Sequence, residues 1–140
     1  MAKPIALTDP VPEATLLETV PVATPKLHST HLKVTLSTPE FACQCPITGG
    51  NDFGTITITY IPCEKLLELA ACWKYLEAYK AVPLFHEHVA QQILDDVVEA
   101  VDPLAAEVTT NFPPSALCQA PIRVITVATW SGKNLTSVGG

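Results

Sequence analysis

The sequence predicts an α+β fold in which two helices cover one face of a four-stranded antiparallel sheet. Three observations predict it: two early segments alternate apolar and polar residues, two central segments repeat apolar residues at helical spacing, and two extended segments follow. Because the order is ββααββ, strands and helices form separate layers and both helices share one face. A chain of 140 residues fits one domain with a sizeable core.

The first two strands are predicted from their alternation. Between Leu32 and Leu36 every second residue is apolar, and this strand is expected to end at Pro39. From Phe53 to Ile61 threonines alternate with isoleucine and tyrosine, and Pro62 is expected to stop the strand. Both strands are therefore expected to bury one face.

The two helices are predicted from helical spacing. Glu64 to Ala81 contains no proline or glycine, which predicts a helix of about five turns. Its expected apolar stripe is Leu66, Leu69, Ala70, Trp73 and Leu76. A second helix is predicted from His86 to Val101, with three carboxylates in solvent. Its expected buried residues are Val89, Ala90, Ile93, Leu94, Val97 and Val101, and its expected solvated ones are Asp95, Asp96 and Glu99.

The remaining segments complete the domain. Extended runs from Glu107 to Phe112 and from Ile122 to Thr129 are separated by the proline-rich loop Pro113 to Pro121. We expect residues 1–26 to form a proline-rich N-terminal arm, with some local structure from Ala14 to Val20, and residues 131–140 to form a polar tail. Residues 27–130 would then form the domain.

Composition restricts the class of protein. Fourteen acidic and eight basic residues give a net charge of -6, which disfavours contact with a phosphate backbone. Five cysteines cannot all pair and are too sparse for a secreted disulfide scaffold, so a reducing cytoplasm is expected. No apolar run predicts a signal peptide or a membrane span.

The predicted sheet also has a consequence for assembly. Four strands leave two open edges, and exposed edges are commonly covered, charged or paired. Pairing between copies would join the sheets into a barrel, so we expect a homo-oligomer with sites at subunit interfaces.

Two short segments carry candidate chemistry. Cys45 precedes Asp52 by seven residues on a turn-rich loop, which places a nucleophile and a proton donor near each other. His86 and Glu87 begin the second helix, and a glutamate can accept hydrogen bonds from two adjacent donors on a guanine-like edge.

Each of these residues also has a plain structural interpretation. Cys45 is either a thiolate at a partly exposed site or an inert buried cysteine. Asp52 is either a general acid or a turn residue after Gly49, Gly50 and Asn51. Glu87 is either a base anchor or a first-turn glutamate favoured by the helix dipole.

A zinc site is a further possibility for Cys43, Cys45, His86 and His88. Both pairs are separated by one residue where two to five are usual, and two helical residues at that spacing diverge by about 200°. We therefore predict no metal.

The string Glu-Phe-x-x-x-Cys-Pro-x-Thr-Gly-x-x-Asp-Phe, starting at Glu40, and Phe-His-Glu, starting at Phe85, resemble the 7-cyano-7-deazaguanine reductases, the QueF-type enzymes of the tunnelling-fold superfamily. The resemblance spans about residues 15–112. It implies a tunnelling-fold catalytic domain in which Cys45 adds to a nitrile to form a thioimide, Asp52 handles protons, and Glu87 holds the deazaguanine base beside His86.

One departure from that pattern concerns the cofactor. Family reductases carry Glu-Ser-Lys-Ser-x-Lys at the start of the first helix, tied to NADPH, where this chain has Glu-Leu-Ala-Ala-Cys-Trp from Glu68. Without those lysines and serines the segment offers almost nothing to a phosphate. The pattern is similar to the QueF-like amidine-forming relatives, in which ammonia intercepts the thioimide, giving the archaeosine formamidine in transfer RNA.

The leading hypothesis is therefore a nitrile-processing enzyme that forms an amidine with ammonia, and NADPH is expected as a cofactor only if the reductase alternative holds. The alternative is an NADPH-dependent reductase giving 7-aminomethyl-7-deazaguanine, the queuosine-type product. A second alternative is a tunnelling-fold protein that binds the base without turnover. The base is either free or part of a nucleic acid.

Overall fold

The computed structural model describes residues 11–23, 32–114 and 121–132. Most of the predicted polar tail, the start of the predicted N-terminal arm and residues 115–120 of the proline-rich loop lie outside the described residues. None of the helices in the described ranges is both long and apolar enough to cross a membrane.

The described residues form an α+β structure with a main sheet of four strands, as predicted. In chain order the elements are β1 (Thr19–Pro21), β2 (Val34–Gln44), β3 (Asn51–Ile61), β4 (Lys65–Leu67), α1 (Leu69–Glu77), α2 (His86–Val101), β5 (Ala105–Phe112) and β6 (Val124–Ser131). Short 3₁₀ helices occupy Ala14–Leu16 and Ala78–Ala81. The main sheet has the order β2-β3-β5-β6 with antiparallel neighbours, and β1 pairs separately with β4.

Helix α2 has the predicted bounds and buries the predicted apolar face. It packs over β5 and β6, where Val89, Ile93 and Val97 are fully buried. The prediction that Asp96 lies in solvent is wrong, because its side chain is buried and accepts hydrogen bonds from the Tyr75 hydroxyl and from Nε2 of Gln92. Burial raises the pKa of Asp96, although the bonds from Tyr75 and Gln92 act in the opposite direction.

Strand β2 continues past Pro39, so the predicted end of this strand is wrong. The register with β3 shifts between Thr38 and Phe41, where β2 contains one extra residue. Proline is tolerated there because β2 is an edge strand and the bulge removes the need for a ladder hydrogen bond. The bulge changes which residues face the core, since even-numbered residues point inward before it while Phe41 and Cys43 are buried after it.

Helix α1 is shorter than the five turns predicted. Lys65–Leu67 pair with β1, and the helix begins only after Glu68, whose carboxylate accepts hydrogen bonds from the backbone amides of Ala70 at 3.1 Å and Ala71 at 2.7 Å. These bonds lower the pKa of Glu68. The buried face also differs from the predicted stripe, because Leu69 is 69% exposed. The buried residues of α1 are Ala71, Cys72, Tyr75 and Leu76.

Part of the expected N-terminal arm is packed against the domain. Strand β1 pairs with β4, and the side chain of Leu17 belongs to the hydrophobic core. The local structure expected from Ala14 to Val20 is present as the first 3₁₀ helix and β1. The boundaries proposed for the arm, the domain and the tail remain predictions.

Candidate functional site

A tight loop between β2 and β3 carries Cys45. The Cys45 amide donates to the carbonyl of Gly50 at 2.8 Å, and the Gly49 amide donates back to the carbonyl of Cys45 at 2.9 Å. Gly49 has φ +74°, a left-handed conformation that glycine adopts without strain. This closed loop returns the chain directly into β3 and so places Asp52, near the start of β3, beside the loop.

The end of β2 is tied to the segment that leads into α2. The Gln44 amide donates to the carbonyl of Val82 at 2.9 Å, and the Leu84 amide donates to the carbonyl of Gln44 at 3.1 Å. The Cys43 thiol also contacts the carbonyl of Leu84 at 3.8 Å. These contacts bring residues distant in sequence together, so the loop with Cys45 lies next to the first turn of α2.

The resulting cavity has a volume of about 360 Å³. Four of its lining residues are those predicted from the sequence, namely Cys45, Asp52, His86 and Glu87. The remaining lining residues are mainly apolar and are Pro46, Ile47, Phe85, Pro113, Ile122 and Val124. A cavity with apolar walls and a few polar groups is typical of a site for a small molecule.

His86 and Asp52 form a close pair within this cavity. Nε2 of His86 lies 3.0 Å from Oδ2 of Asp52, whose side chain is 5% exposed. The distance is that of an ion pair, but among the described residues Nε2 has no acceptor aligned for a hydrogen bond. The imidazole ring is instead stacked on the ring of Phe112, with centroids 4.2 Å apart and planes 6° apart.

The two thiols near the site differ in character. Burial, Asp52 and Cys45 together raise the pKa of Cys43 to about 12, so this thiol stays protonated at neutral pH. It is fully buried, whereas Cys45 is 8% exposed and borders the cavity. Cys45 is therefore the thiol placed to meet a ligand.

All four residues predicted for the site line one cavity, although their roles remain predictions. The sequence did not predict Phe112 as a neighbour of His86, nor Ile122 and Val124 as cavity walls, because these contacts depend on how β5 and β6 lie beside α2. Within the described parts of the chain, no group of three or more histidine, cysteine or acidic side chains is arranged to hold a metal ion.

The first turn of α1 lines a second cavity, of about 370 Å³, between α1 and strands β2 and β3. Its described lining includes Leu69, Cys72, Trp73 and one carboxylate, Glu40, but no lysine or arginine. A nucleotide bearing a 2'-phosphate and a pyrophosphate requires cations or many donors. The residues present at this turn therefore do not fit NADPH.

Comparison with known proteins identifies the family. Residues 51–125, more than half of the chain, match the family described as QueF-like protein. The chain belongs to the QueF-like family. The matched range contains Asp52, His86 and Glu87, while Cys45 lies six residues before it.

Curated proteins are similar to the chain over part of their length. The NADPH-dependent 7-cyano-7-deazaguanine reductase of Nostoc sp. is 47% identical over 81 residues, which is 58% of this chain and 60% of that protein. The reductase of the same name from Gloeothece citriformis is 39% identical over 94 residues, 67% of this chain and 68% of that protein. The chain thus matches about three fifths of the Nostoc relative.

A solved QueF-like structure supports the fold. The apo crystal structure of the archaeosine synthase QueF-Like superposes with a TM-score of 0.65 at 27% identity, covering 72% of this chain and 95% of that one. This likeness and the ββααββ order of the main sheet confirm the tunnelling fold predicted from the sequence.

Proposed function

We propose that the chain is an enzyme that captures the nitrile of 7-cyano-7-deazaguanine as a covalent thioimide on Cys45. The observation that carries the proposal is the single cavity that joins Cys45, Asp52, His86 and Glu87. The names of the curated relatives, which are reductases of this nitrile, support the substrate class.

The capture step needs a thiolate, an electrophilic carbon and a proton source. Sγ of Cys45 forms a bond to the nitrile carbon, one π bond of the nitrile breaks, and the nitrogen takes up a proton to give the thioimide. Asp52 borders the same cavity and is assigned the proton transfer. Nothing leaves the substrate in this step, so the protein gains the full mass of the base.

The first turn of α2 supplies the recognition of the base. Glu87, exposed at the cavity, accepts from the ring N–H and the exocyclic amine of the deazaguanine, and the helix N-terminus favours its negative charge. The apolar walls, including Phe85 and Ile122, contact the faces of the planar ring and exclude water.

The second step has two candidates. The names of the curated relatives favour reduction with NADPH, which was the alternative from the sequence. Amidine formation with ammonia, the leading hypothesis from the sequence, is favoured by the first turn of α1, which carries no cation for NADPH, and by the likeness to an archaeosine synthase. In that reaction ammonia forms a bond to the thioimide carbon, the C–S bond breaks, and the Cys45 thiol is restored.

The same proposal covers assembly and location. Strands β2 and β6 are the edges of the main sheet, and we propose that copies pair along them to form a homo-oligomeric barrel with sites at subunit interfaces. Residues 27–130 are proposed as the catalytic domain and the cytoplasm as its location. The base is proposed to be free or carried by a nucleic acid.

Product analysis separates the candidates. The chain is mixed with 7-cyano-7-deazaguanine and either NADPH or ammonia, and products are identified by mass spectrometry. An amine formed only with NADPH, together with loss of NADPH absorbance, establishes reduction, whereas an amidine formed only with ammonia establishes the second candidate. If the chain binds the base but forms neither product and no covalent adduct, it is a non-catalytic binding protein.

A further inference from the structure

We propose that Phe112 is a positioning residue for the nitrile chemistry, because its ring fixes the His86 imidazole against Asp52. The expected effect of Phe112 on thioimide formation rests on the proposed function. The orientation of His86 by Phe112 rests on the contacts of the described residues alone.

The His86 ring has two close neighbours that could orient it, Asp52 and Phe112. Nε2 lies 3.0 Å from Oδ2 of Asp52 without an aligned hydrogen bond, so this contact does not by itself set the plane of the ring. The stack on Phe112 does, since two planes 6° apart with centroids at 4.2 Å leave little freedom for rotation about the ring bond. The face of Phe112 also attracts the imidazole when it is protonated.

Phe112 is held by close packing in the core. Its side chain is 1% exposed, and its ring meets Phe41 edge to face with centroids 6.2 Å apart. The ring also lies against Gly54, where a Cβ atom would come within 2.7 Å of Cδ1 and 2.9 Å of Cε1 of Phe112. The missing side chain at Gly54 therefore leaves the space that the Phe112 ring occupies.

The positions of Asp52 and Gly54 both face inward from β3. The same strand therefore presents the Asp52 carboxylate and leaves room for the Phe112 ring, which positions His86 beside that carboxylate. Displacement of a positioned group by about 1 Å can slow a reaction about 100-fold. Loss of the stack is thus expected to slow thioimide formation while leaving binding of the base by Glu87 nearly unchanged.

Phe112→Leu tests the proposal, with Val101→Ala as the control. Both residues are 1% exposed and belong to one core cluster, but Val101 lies at the far end of α2 and only Phe112 is stacked on His86. Phe112→Leu is expected to slow adduct formation with 7-cyano-7-deazaguanine about tenfold and to change affinity for 7-deazaguanine, which has no nitrile, less than about threefold. Val101→Ala is expected to lower thermal stability similarly and to leave the rate within about twofold.

A double variant separates positioning from general destabilisation. In a His86→Ala background, Phe112→Leu should cause no further loss of rate, because the group that it positions is already gone. Equal slowing by Phe112→Leu and Val101→Ala, or a Phe112→Leu effect that persists undiminished in His86→Ala, would overturn the proposal.

A magnetic resonance readout keeps the geometric part testable without turnover. The ¹⁵N shift of His86 Nε2 is compared in the native chain, Asp52→Asn, Phe112→Leu and Val101→Ala. Phe112→Leu should move this shift toward its value in Asp52→Asn, and Val101→Ala should not. If Phe112→Leu does not fold, the stack is tested by contacts between the His86 and Phe112 ring protons in the native chain. The absence of these contacts refutes the stack. Failure of the native chain to form an adduct refutes the proposed function alone.

Discussion

The cavity around Cys45 and the first turn of α1 differ in what they offer a reaction. At the cavity, residues from the β2–β3 loop, β3 and α2 converge, held by backbone bonds between Gln44, Val82 and Leu84. At the turn, Glu68 accepts the bonds of two helix amides, and the cavity beside it has no described cation. Under the proposed function, capture of the nitrile therefore depends on the cavity around Cys45, and choice of the second reactant depends on the separate first turn of α1.

The largest effect is expected at Asp52. Asp52→Asn removes the proton donor without changing the size of the side chain, so thioimide formation should slow by about 10²–10⁴-fold. The rate is followed by stopped-flow absorbance of the bound base. Asp95→Asn, an exposed residue on α2, is the control and should keep the native rate. Equal rates in the native chain and Asp52→Asn would exclude Asp52 from the chemistry.

The next effect is expected at Glu87. Glu87→Gln keeps the shape but turns one acceptor into a donor, which should weaken binding of 7-deazaguanine by about 2 kcal/mol, or roughly 30-fold. Calorimetric titration measures the dissociation constant. Glu99→Gln, exposed on the same helix, should bind as the native chain does. Unchanged affinity in Glu87→Gln would support its interpretation as a helix-dipole residue.

Adding cations to the first turn of α1 sharpens the comparison. The double variant Ala70→Lys and Trp73→Lys places lysines where the reductase pattern has them and should increase affinity for NADPH about tenfold. Glu77→Lys changes the net charge by the same amount at the other end of α1 and should have little effect. If the native chain already binds NADPH tightly and the two lysines do not change that affinity, NADPH binds through other groups.

The smallest effect concerns stability. Because the pKa of Asp96 is raised in the folded state, folding favours its protonated form, so this stabilisation is present at low pH and is lost as pH rises through the folded pKa. Through this residue, the free energy of unfolding should therefore fall as pH rises from the ordinary aspartate pKa to the raised one. Urea unfolding of Asp96→Asn should lack this decline, whereas Asp95→Asn should keep it.

Much of the fold was predictable because the alternation in β3 and the helical spacing in α2 are strong local signals. The continuation of β2 past Pro39 was not, since a bulge at a sheet edge depends on pairing with β3. The late start of α1 was missed for a similar reason, because Lys65–Leu67 are extended only through their pairing with β1.

The candidate site was predictable where neighbours in sequence carry it. Cys45 lies on the loop that leads into β3, Asp52 lies near the start of β3, and Glu87 lies in the first turn of α2. Their residue types, their spacing and the family resemblance together marked them as candidates. Phe112 is 26 residues from His86 and lies on a different element, so only the packing of β5 against α2 places the two rings together.

Intact-protein mass spectrometry after mixing with 7-cyano-7-deazaguanine tests capture of the nitrile most directly. The native chain should gain the mass of one base, the exposed-thiol control Cys63→Ala should gain the same mass, and Cys45→Ala should gain none. An unchanged native mass at a base concentration that saturates binding, or an equal gain in Cys45→Ala, would contradict the account.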